Sequence, residues 1–184
     1  MAAEQRDRTE KDRPERGREL YRGKAKVVYE TADPGVLLME FTDSATAFNG
    51  AKKGTIGGKG SRNAHISARL FCHLEASGVP THFIGMASDN ELLVKRLEII
   101  PVEMVARNVV AGSLSKRLGL EEGTLLSRPV VEMYYKSDPL GDPMINRYHA
   151  LALGLASEDE LDRMEEQALT VNRLLYSYLG ERGL

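Results

Sequence analysis

The strongest constraint on the fold is an apolar stretch, residues 99–113 (IIPVEMVARNVVAGS), that carries one acid and one base. Its β-branched residues and its alternation predict a buried strand, in which Glu103 and Arg107 share one face. Burying these two charges costs free energy unless they pair with each other or bind a ligand. The sequence leaves both interpretations open: an internal Glu103–Arg107 ion pair, or a binding site for a charged ligand.

The strand pattern ends at Ala111 and Gly112, and the next residues predict a short helix that ends at Leu120. Ser113 is the predicted N-cap of this helix. Free N–H groups at a helix start attract anions, so Arg107 and the helix start would converge on one negatively charged group. An ordinary strand-to-helix turn that contains the internal ion pair explains the same pattern.

The composition excludes several classes of protein. The 184 residues carry a formal net charge of -2, which gives no electrostatic basis for binding nucleic acid. No apolar run is long enough to span a membrane and no secretory signal is present, so we expect a cytoplasmic protein. A single cysteine, Cys72, rules out an intramolecular disulfide. Residues 1–19 are highly charged and almost free of apolar side chains, which predicts a disordered tail.

The ordered part of the chain is expected to begin at Leu20. Residues 20–30 alternate as a strand, and they are followed by a turn and a second strand, VLLMEF. On that first strand Lys24 and Lys26 share one face, just after Gly23. Two lysines beside a glycine can clamp a phosphate. The solvated face of an edge strand has the same pattern.

Residues 42–63 are polar, rich in glycine and basic, but they match neither the P-loop nor the dinucleotide fingerprint. We interpret them as a flexible lid that contacts substrate or as a plain surface loop. A helix is predicted from Ser61 to a stop at Gly78. His65 and His73 lie eight residues apart on it, a spacing that is poor for metal binding. Its predicted apolar stripe is Ile66, Leu70, Phe71 and Leu74.

The second half of the chain continues with a predicted strand, residues 127–136, and a turn that contains two Asp-Pro pairs. Asp138 or Asp142 can bind an amine or a cation and Lys136 a carboxylate or phosphate, although simple turn chemistry explains these residues equally well. Ser157 begins the clearest predicted helix, with a capping box and an apolar stripe. The strands arrive mainly as hairpins, which predicts an α+β fold with an antiparallel sheet.

Together these segments resemble the SAICAR synthetase (phosphoribosylaminoimidazole-succinocarboxamide synthase) family. The motifs that carry the resemblance, in chain order, are LYRGKAK, SATAFNG, GKG, IIPVEMVARNVVAGS and YYKSDPLGDP. The resemblance covers residues 20–184. It implies a ligase of purine biosynthesis that uses ATP and Mg²⁺ to join carboxyaminoimidazole ribonucleotide and L-aspartate through an activated carboxylate. It also implies small-molecule partners, with no nucleic acid or membrane, and allows a homo-oligomer.

The resemblance also implies roles for particular residues. The ATP-binding residues would be Lys24, Lys26, Val94, Lys95 and Leu97, with the lysines of residues 24–26 at the phosphates and the later segment at the adenine. The substrate-binding residues would be Arg107, Ser113, Lys136 and Asp142. We expect Glu103 to be a structural partner of Arg107, and no catalytic residue is assigned.

This sequence departs from the family pattern at its C-terminal end. The acidic strand and the Asp-Glu segment that supply the family's magnesium ligands are not found in it, so we expect no metal ligands in this chain and a C-terminally truncated enzyme of uncertain activity. The expected organisation is a charged tail (1–19), an antiparallel ATP-binding domain (20–98) and an incomplete α+β substrate-binding domain (99–184). A non-catalytic nucleotide-binding or partner-binding module is the alternative, and a kinase-like phosphotransferase is a third interpretation.

Overall fold

The computed structural model describes residues 14–47 and 52–184. The chain divides into two units, residues 1–98 and 99–184, and each is described by itself. In the described residues, no helix is long and apolar enough to cross a membrane.

The first unit is built on a five-stranded antiparallel sheet with the order β1-β2-β3-β7-β6. Two shorter strands, β4 and β5, form a separate hairpin, and one long helix follows them. The bounds are β1 Glu19–Arg22, β2 Lys26–Glu30, β3 Val36–Phe41, β4 Ser44–Ala47, β5 Lys52–Thr55, α1 Lys59–Ala76, β6 Phe83–Ser88 and β7 Glu91–Lys95.

Helix α1 packs on one face of this sheet through small residues. Ala64 and Ala68 are fully buried against Phe41 and Leu92, so the helix backbone can lie close to the strands. Ile66, which was predicted to lie in the apolar stripe, is 58% exposed. That part of the prediction is wrong because the buried side of α1 is formed by the alanines instead.

The second unit contains a three-stranded antiparallel sheet of order β10-β9-β8. One face of this sheet packs against helices through a core of Val102, Ala150 and Leu161. The bounds are β8 Val102–Val109, α2 Ser113–Leu118, β9 Leu125–Tyr135, a 3-10 helix Asp138–Leu140, β10 Met144–Ile145, α3 Arg147–Ala152 and α4 Glu158–Gly180.

The predicted α+β fold with antiparallel sheets is confirmed. The strand in residues 99–113, the strand near 127–136 and the capped C-terminal helix are all present. The capping box at the start of α4 is complete, with the Ser157 side chain and the Glu160 side chain each accepting a backbone N–H bond from the other.

The prediction of one continuous strand through residues 20–30 is wrong. The chain reverses there: Arg22 pairs with Val27, and the Gly23 N–H donates to the Lys26 carbonyl at 2.8 Å. Lys24 therefore lies in a turn and Lys26 begins the next strand, so the two lysines do not share a strand face. A tight hairpin between β1 and β2 replaces the single alternating run.

The prediction of an irregular loop over residues 42–63 is also wrong for its described part. Strands β4 and β5 pair, and α1 begins at Lys59. The Asp43 carboxylate accepts hydrogen bonds from the N–H groups of Gly60 at 2.8 Å and Gly58 at 3.1 Å. These bonds lower the pKa of Asp43 and fix the helix start. Residues 48–51 lie outside the described residues.

The predicted disordered tail is wrong for residues 14–19, while residues 1–13 lie outside the described residues. Gly17 donates to the Glu30 carbonyl at 2.9 Å. The Arg16 guanidinium contacts the Glu40 carboxylate at 2.9 Å and the fully buried Glu91 carboxylate at 2.7 Å. A buried carboxylate needs a cation, and the supposed tail supplies it.

Replacing Gly60 with alanine tests the close packing of α1. An added Cβ would lie 2.4 Å from the Phe41 carbonyl oxygen, and this clash should outweigh the gain of about 1 kcal/mol that alanine brings inside a helix. We expect Gly60→Ala to lower the free energy of unfolding by about 2 kcal/mol, measured by urea denaturation. Gly57→Ala is the control because nothing lies within 4 Å of its added Cβ. Equal stability of the two variants would contradict the packing argument.

Candidate functional site

Several charged residues of strands β8 and β9 lie on one face of the sheet of the second unit. The β8–β9 register places Glu103 opposite Tyr134, Val105 opposite Glu132 and Arg107 opposite Val130. Because directly paired residues point to the same side, these side chains share a face, while Met104 and Met133 point to the helix-covered side. We call the side formed by Glu103, Arg107, Glu132, Tyr134 and Lys136 the charged face.

Glu132 is the centre of the charged face. Its side chain is 3% exposed. Its Oε2 accepts a hydrogen bond from Arg107 Nε at 2.8 Å and another from the Tyr134 hydroxyl at 2.8 Å. Its Oε1 accepts from a terminal nitrogen of Arg117. One buried carboxylate thus holds two guanidinium groups.

The pKa of Glu132 is lowered. Burial alone would raise it, but the hydrogen bonds from Arg107 and Tyr134 and the charges of Arg107 and Arg117 outweigh burial. Glu132 is therefore ionised at neutral pH.

Helix α2 brings Arg117 to the charged face. A turn at Gly112, with φ 55° and ψ -120°, ends β8, and the buried side chain of Leu114 anchors the helix that follows. At its start the Ser113 hydroxyl lies 3.4 Å from a terminal nitrogen of Arg107. Arg107 and Ser113 are therefore neighbours, as the pattern predicted.

One detail of the predicted strand-to-helix junction is wrong. The N-cap is Gly112, and Ser113 is the first helical residue. The Gly112 N–H also already donates to the Glu122 carboxylate at 3.1 Å.

The predicted ion pair between Glu103 and Arg107 is wrong. Four residues along a strand span about 13 Å, which is too far for a direct contact. The partner of Arg107 comes from the neighbouring strand as Glu132, and Glu103 lies 3.3 Å from the Lys136 ammonium. The sequence did contain a signal for Glu132, since this acid also interrupts an apolar strand run, but no part of the pattern singled out Arg117.

Lys136 and Asp142 meet at the other end of the charged face. Lys136 Nζ lies 2.8 Å from Asp142 Oδ2, and the other Asp142 oxygen accepts the Ser137 N–H at 2.9 Å. The pKa of Lys136 is raised, first by its hydrogen bond to Asp142. Asp142 has a positive φ of 49°, which only a tight turn tolerates, and the turn holds its carboxylate beside the lysine.

The predicted ATP-binding residues all lie in the first unit. Lys24 is exposed in the β1–β2 turn, and the Lys26 ammonium lies 5.8 Å from the centre of the Phe41 ring. Val94 is buried at 2% exposure in the core, Lys95 ends β7, and Leu97 is 55% exposed beyond it.

His82 lies near two of these residues. Its pKa is lowered, first by burial and then by the charges of Lys26 and Lys95. The negative charge of Glu75 opposes this shift.

Within residues 14–47 and 52–184, no group of three or more His, Cys, Asp or Glu side chains is arranged to hold a metal ion. His65 is half-exposed and contacts Asp89 at 2.8 Å. Cys72 is partly buried, and burial raises the pKa of its thiol.

Comparison with known proteins identifies related chains. A family model described as SAICAR synthetase matches residues 19–184. A phosphoribosylaminoimidazole-succinocarboxamide synthase of Thermococcus kodakarensis is 59% identical over 166 residues, which cover 90% of this chain and 70% of that protein. A solved SAICAR synthetase in complex with ADP has a TM-score of 0.85 and 53% identity, covering 89% of this chain and 69% of that one. The structure of SAICAR synthetase from Pyrococcus horikoshii has a TM-score of 0.83 and 53% identity, covering 86% and 70%.

The ionised Glu132 should make the stability of the second unit depend on pH. Because the folded pKa lies below the ordinary value of 4.5, its contribution is complete above that pH and is lost as the pH falls through the folded pKa. Glu132→Gln should reduce stability by about 3 kcal/mol at pH 7, and its difference in melting temperature from the wild type should shrink below pH 4.5.

Thermal denaturation between pH 7 and pH 3 measures this difference. Glu165→Gln, at an exposed position of α4, is the matched control and should melt with the wild type throughout. A difference for Glu132→Gln that stays constant over the whole range would contradict the assignment.

Proposed function

This chain belongs to the SAICAR synthetase family, and on that premise we propose that it acts in the ATP-dependent ligation of carboxyaminoimidazole ribonucleotide and L-aspartate. The products would be SAICAR, ADP and phosphate. The observation that carries the proposal beyond family membership is the charged face, on which Arg107, Ser113, Lys136 and Asp142 all lie or border.

The two ends of the charged face suit the two charged parts of the substrates. Arg107 and Ser113 offer a guanidinium and a hydroxyl, the donors that bind a phosphate monoester well. Lys136 can neutralise the carboxylate of the imidazole or of aspartate, and Asp142 can accept a hydrogen bond from the aspartate amine. The role of these residues is to orient the two reactants and neutralise their charges.

The first unit is the proposed nucleotide site. A relative was solved in complex with ADP, and ATP when bound would supply the phosphoryl group that activates the carboxylate. Lys24 and Lys26 are exposed cations suited to its phosphates, and the exposed Leu97 offers apolar contact to a base. Val94 is buried, so its proposed role is to support that segment from within the core.

Mg²⁺ is implied by the family chemistry, but the described residues fit a protein-held magnesium site poorly. No three His, Cys, Asp or Glu side chains among them are arranged to hold a metal ion, and the carboxylates of Glu103 and Asp142 both face the Lys136 ammonium. In this proposal the metal ion would arrive with the nucleotide phosphates.

Small-molecule substrates follow from the same proposal. The net charge of -2 supports the absence of a nucleic-acid partner, and the metabolic reaction suits a cytoplasmic protein. A homo-oligomer is compatible with this function.

A coupled assay for ADP release tests the proposal. We expect ADP formation by the purified chain to require both carboxyaminoimidazole ribonucleotide and L-aspartate. Arg107→Gln should lower kcat/KM about 100-fold because it removes a charged contact to the substrate. Arg173→Gln makes the same charge change on α4 and should leave kcat/KM unaltered. ADP formation that is independent of aspartate would indicate a phosphotransferase and overturn the proposal.

A further inference from the structure

Two arginines share one buried acid on the charged face. Arg107 and Arg117 carry two positive charges, and Glu132 carries one negative charge. The Tyr134 hydroxyl completes this group by donating a hydrogen bond to Glu132. The cluster therefore retains a net charge of about +1, which an anionic ligand can neutralise.

Burial distinguishes the acid from the two bases. The Glu132 side chain is 3% exposed, whereas those of Arg107 and Arg117 are 21% and 33% exposed. The Glu132 carboxylate therefore lies inside the protein, and the two guanidinium groups reach the surface. Arg117 also contacts the Tyr134 hydroxyl at 3.5 Å, and Arg107 contacts the Ser113 hydroxyl at 3.4 Å. Because a guanidinium has five N–H donors, each arginine keeps further donors that can bind a ligand.

Each arginine binds a different oxygen of the same carboxylate. Arg107 uses Nε toward Oε2, and Arg117 uses a terminal nitrogen toward Oε1. The two guanidinium groups are therefore held side by side at a separation set by one rigid carboxylate. Such a pair matches a phosphate monoester, which carries nearly two negative charges on three terminal oxygens, better than it matches a single carboxylate.

We propose that Arg117 is a second phosphate-binding residue beside Arg107 and that Glu132 is the positioning residue that fixes both guanidinium groups. Their ligand is the 5′-phosphate of the ribonucleotide substrate. This inference rests on the proposed function, because it assumes that the charged face binds a ribonucleotide.

Glu132 can affect phosphate binding through its negative charge or by fixing the position of the two arginines. These two roles predict opposite effects of the same substitution. If Glu132 acted only through its charge, Glu132→Gln would make the cluster more positive and tighten phosphate binding. If it positions the arginines, the same change releases them and weakens binding. We expect positioning to dominate. The planar guanidinium group binds a phosphate well only when its orientation is fixed, because otherwise binding must also order the side chain.

Titration calorimetry with a matched pair of probes tests the proposal on the full chain. The probes are 5-aminoimidazole-4-carboxamide ribonucleotide and its nucleoside, which lacks the phosphate. Arg117→Gln should raise the Kd of the ribonucleotide about tenfold and leave that of the nucleoside unchanged. The ribonucleotide Kd of Arg117→Lys should lie between those of Arg117→Gln and the wild type. Lys116→Gln removes the same charge from the neighbouring position of α2 and should change the ribonucleotide Kd less than about twofold.

Glu132→Gln should raise the ribonucleotide Kd about threefold or more without changing the nucleoside Kd. A far-UV circular dichroism spectrum that matches the wild type would establish that the variant is folded. An unchanged ribonucleotide Kd for Arg117→Gln, or tighter binding by Glu132→Gln, would overturn this inference while leaving the proposed function intact. A wild-type chain that does not prefer the ribonucleotide to the nucleoside would overturn both.

Discussion

The contact between the buried Glu132 carboxylate and two arginines is the interaction on which the charged face of the second unit depends. Burying a carboxylate is costly unless cations and hydrogen bonds satisfy both of its oxygens, and Arg107, Arg117 and Tyr134 do so. The same contacts join β8, β9 and α2, so the position of the short helix and the charge pattern of the sheet are set together. If the charged face binds the ribonucleotide as proposed, stability and ligand binding are coupled at a single side chain.

The two faces of this sheet differ in their side chains: one packs against helices, and the other carries charged groups. The side with Met104 and Met133 is closed by α3 and α4 over an apolar core, and a pair of hydrogen bonds between Asn108 and Asn172 joins β8 to α4 on this side. The other side can therefore carry charged residues at alternate positions with no loss of core. In the first unit α1 packs on one face of the sheet, and the other face carries a second apolar cluster of Leu38, Ala87 and Leu93 as well as the Arg16–Glu91 ion pair.

The sequence predicted the elements better than the contacts between them. The alternation in residues 99–113 and the capping box at Ser157 follow from local periodicity, and both were correct. The Glu103–Arg107 pair was wrong because residues on one strand find their partners across the sheet, and cross-strand register is not encoded locally. Glu132 and Arg117 were missed for the same reason, since their meeting depends on how α2 folds back onto β9. The turn at Gly23 was missed because a two-strand hairpin and one strand share the same alternation.

The claim that one face of the β8–β9 sheet binds the ribonucleotide is tested most directly by methyl NMR. Val105 and Val130 lie on the charged face, and Met104 and Met133 lie on the helix-covered side of the same strands. Adding 5-aminoimidazole-4-carboxamide ribonucleotide should shift the two valine methyl resonances and leave the two methionine methyl resonances in place. Shifts confined to the methionines, or none at saturating ribonucleotide, would contradict the account.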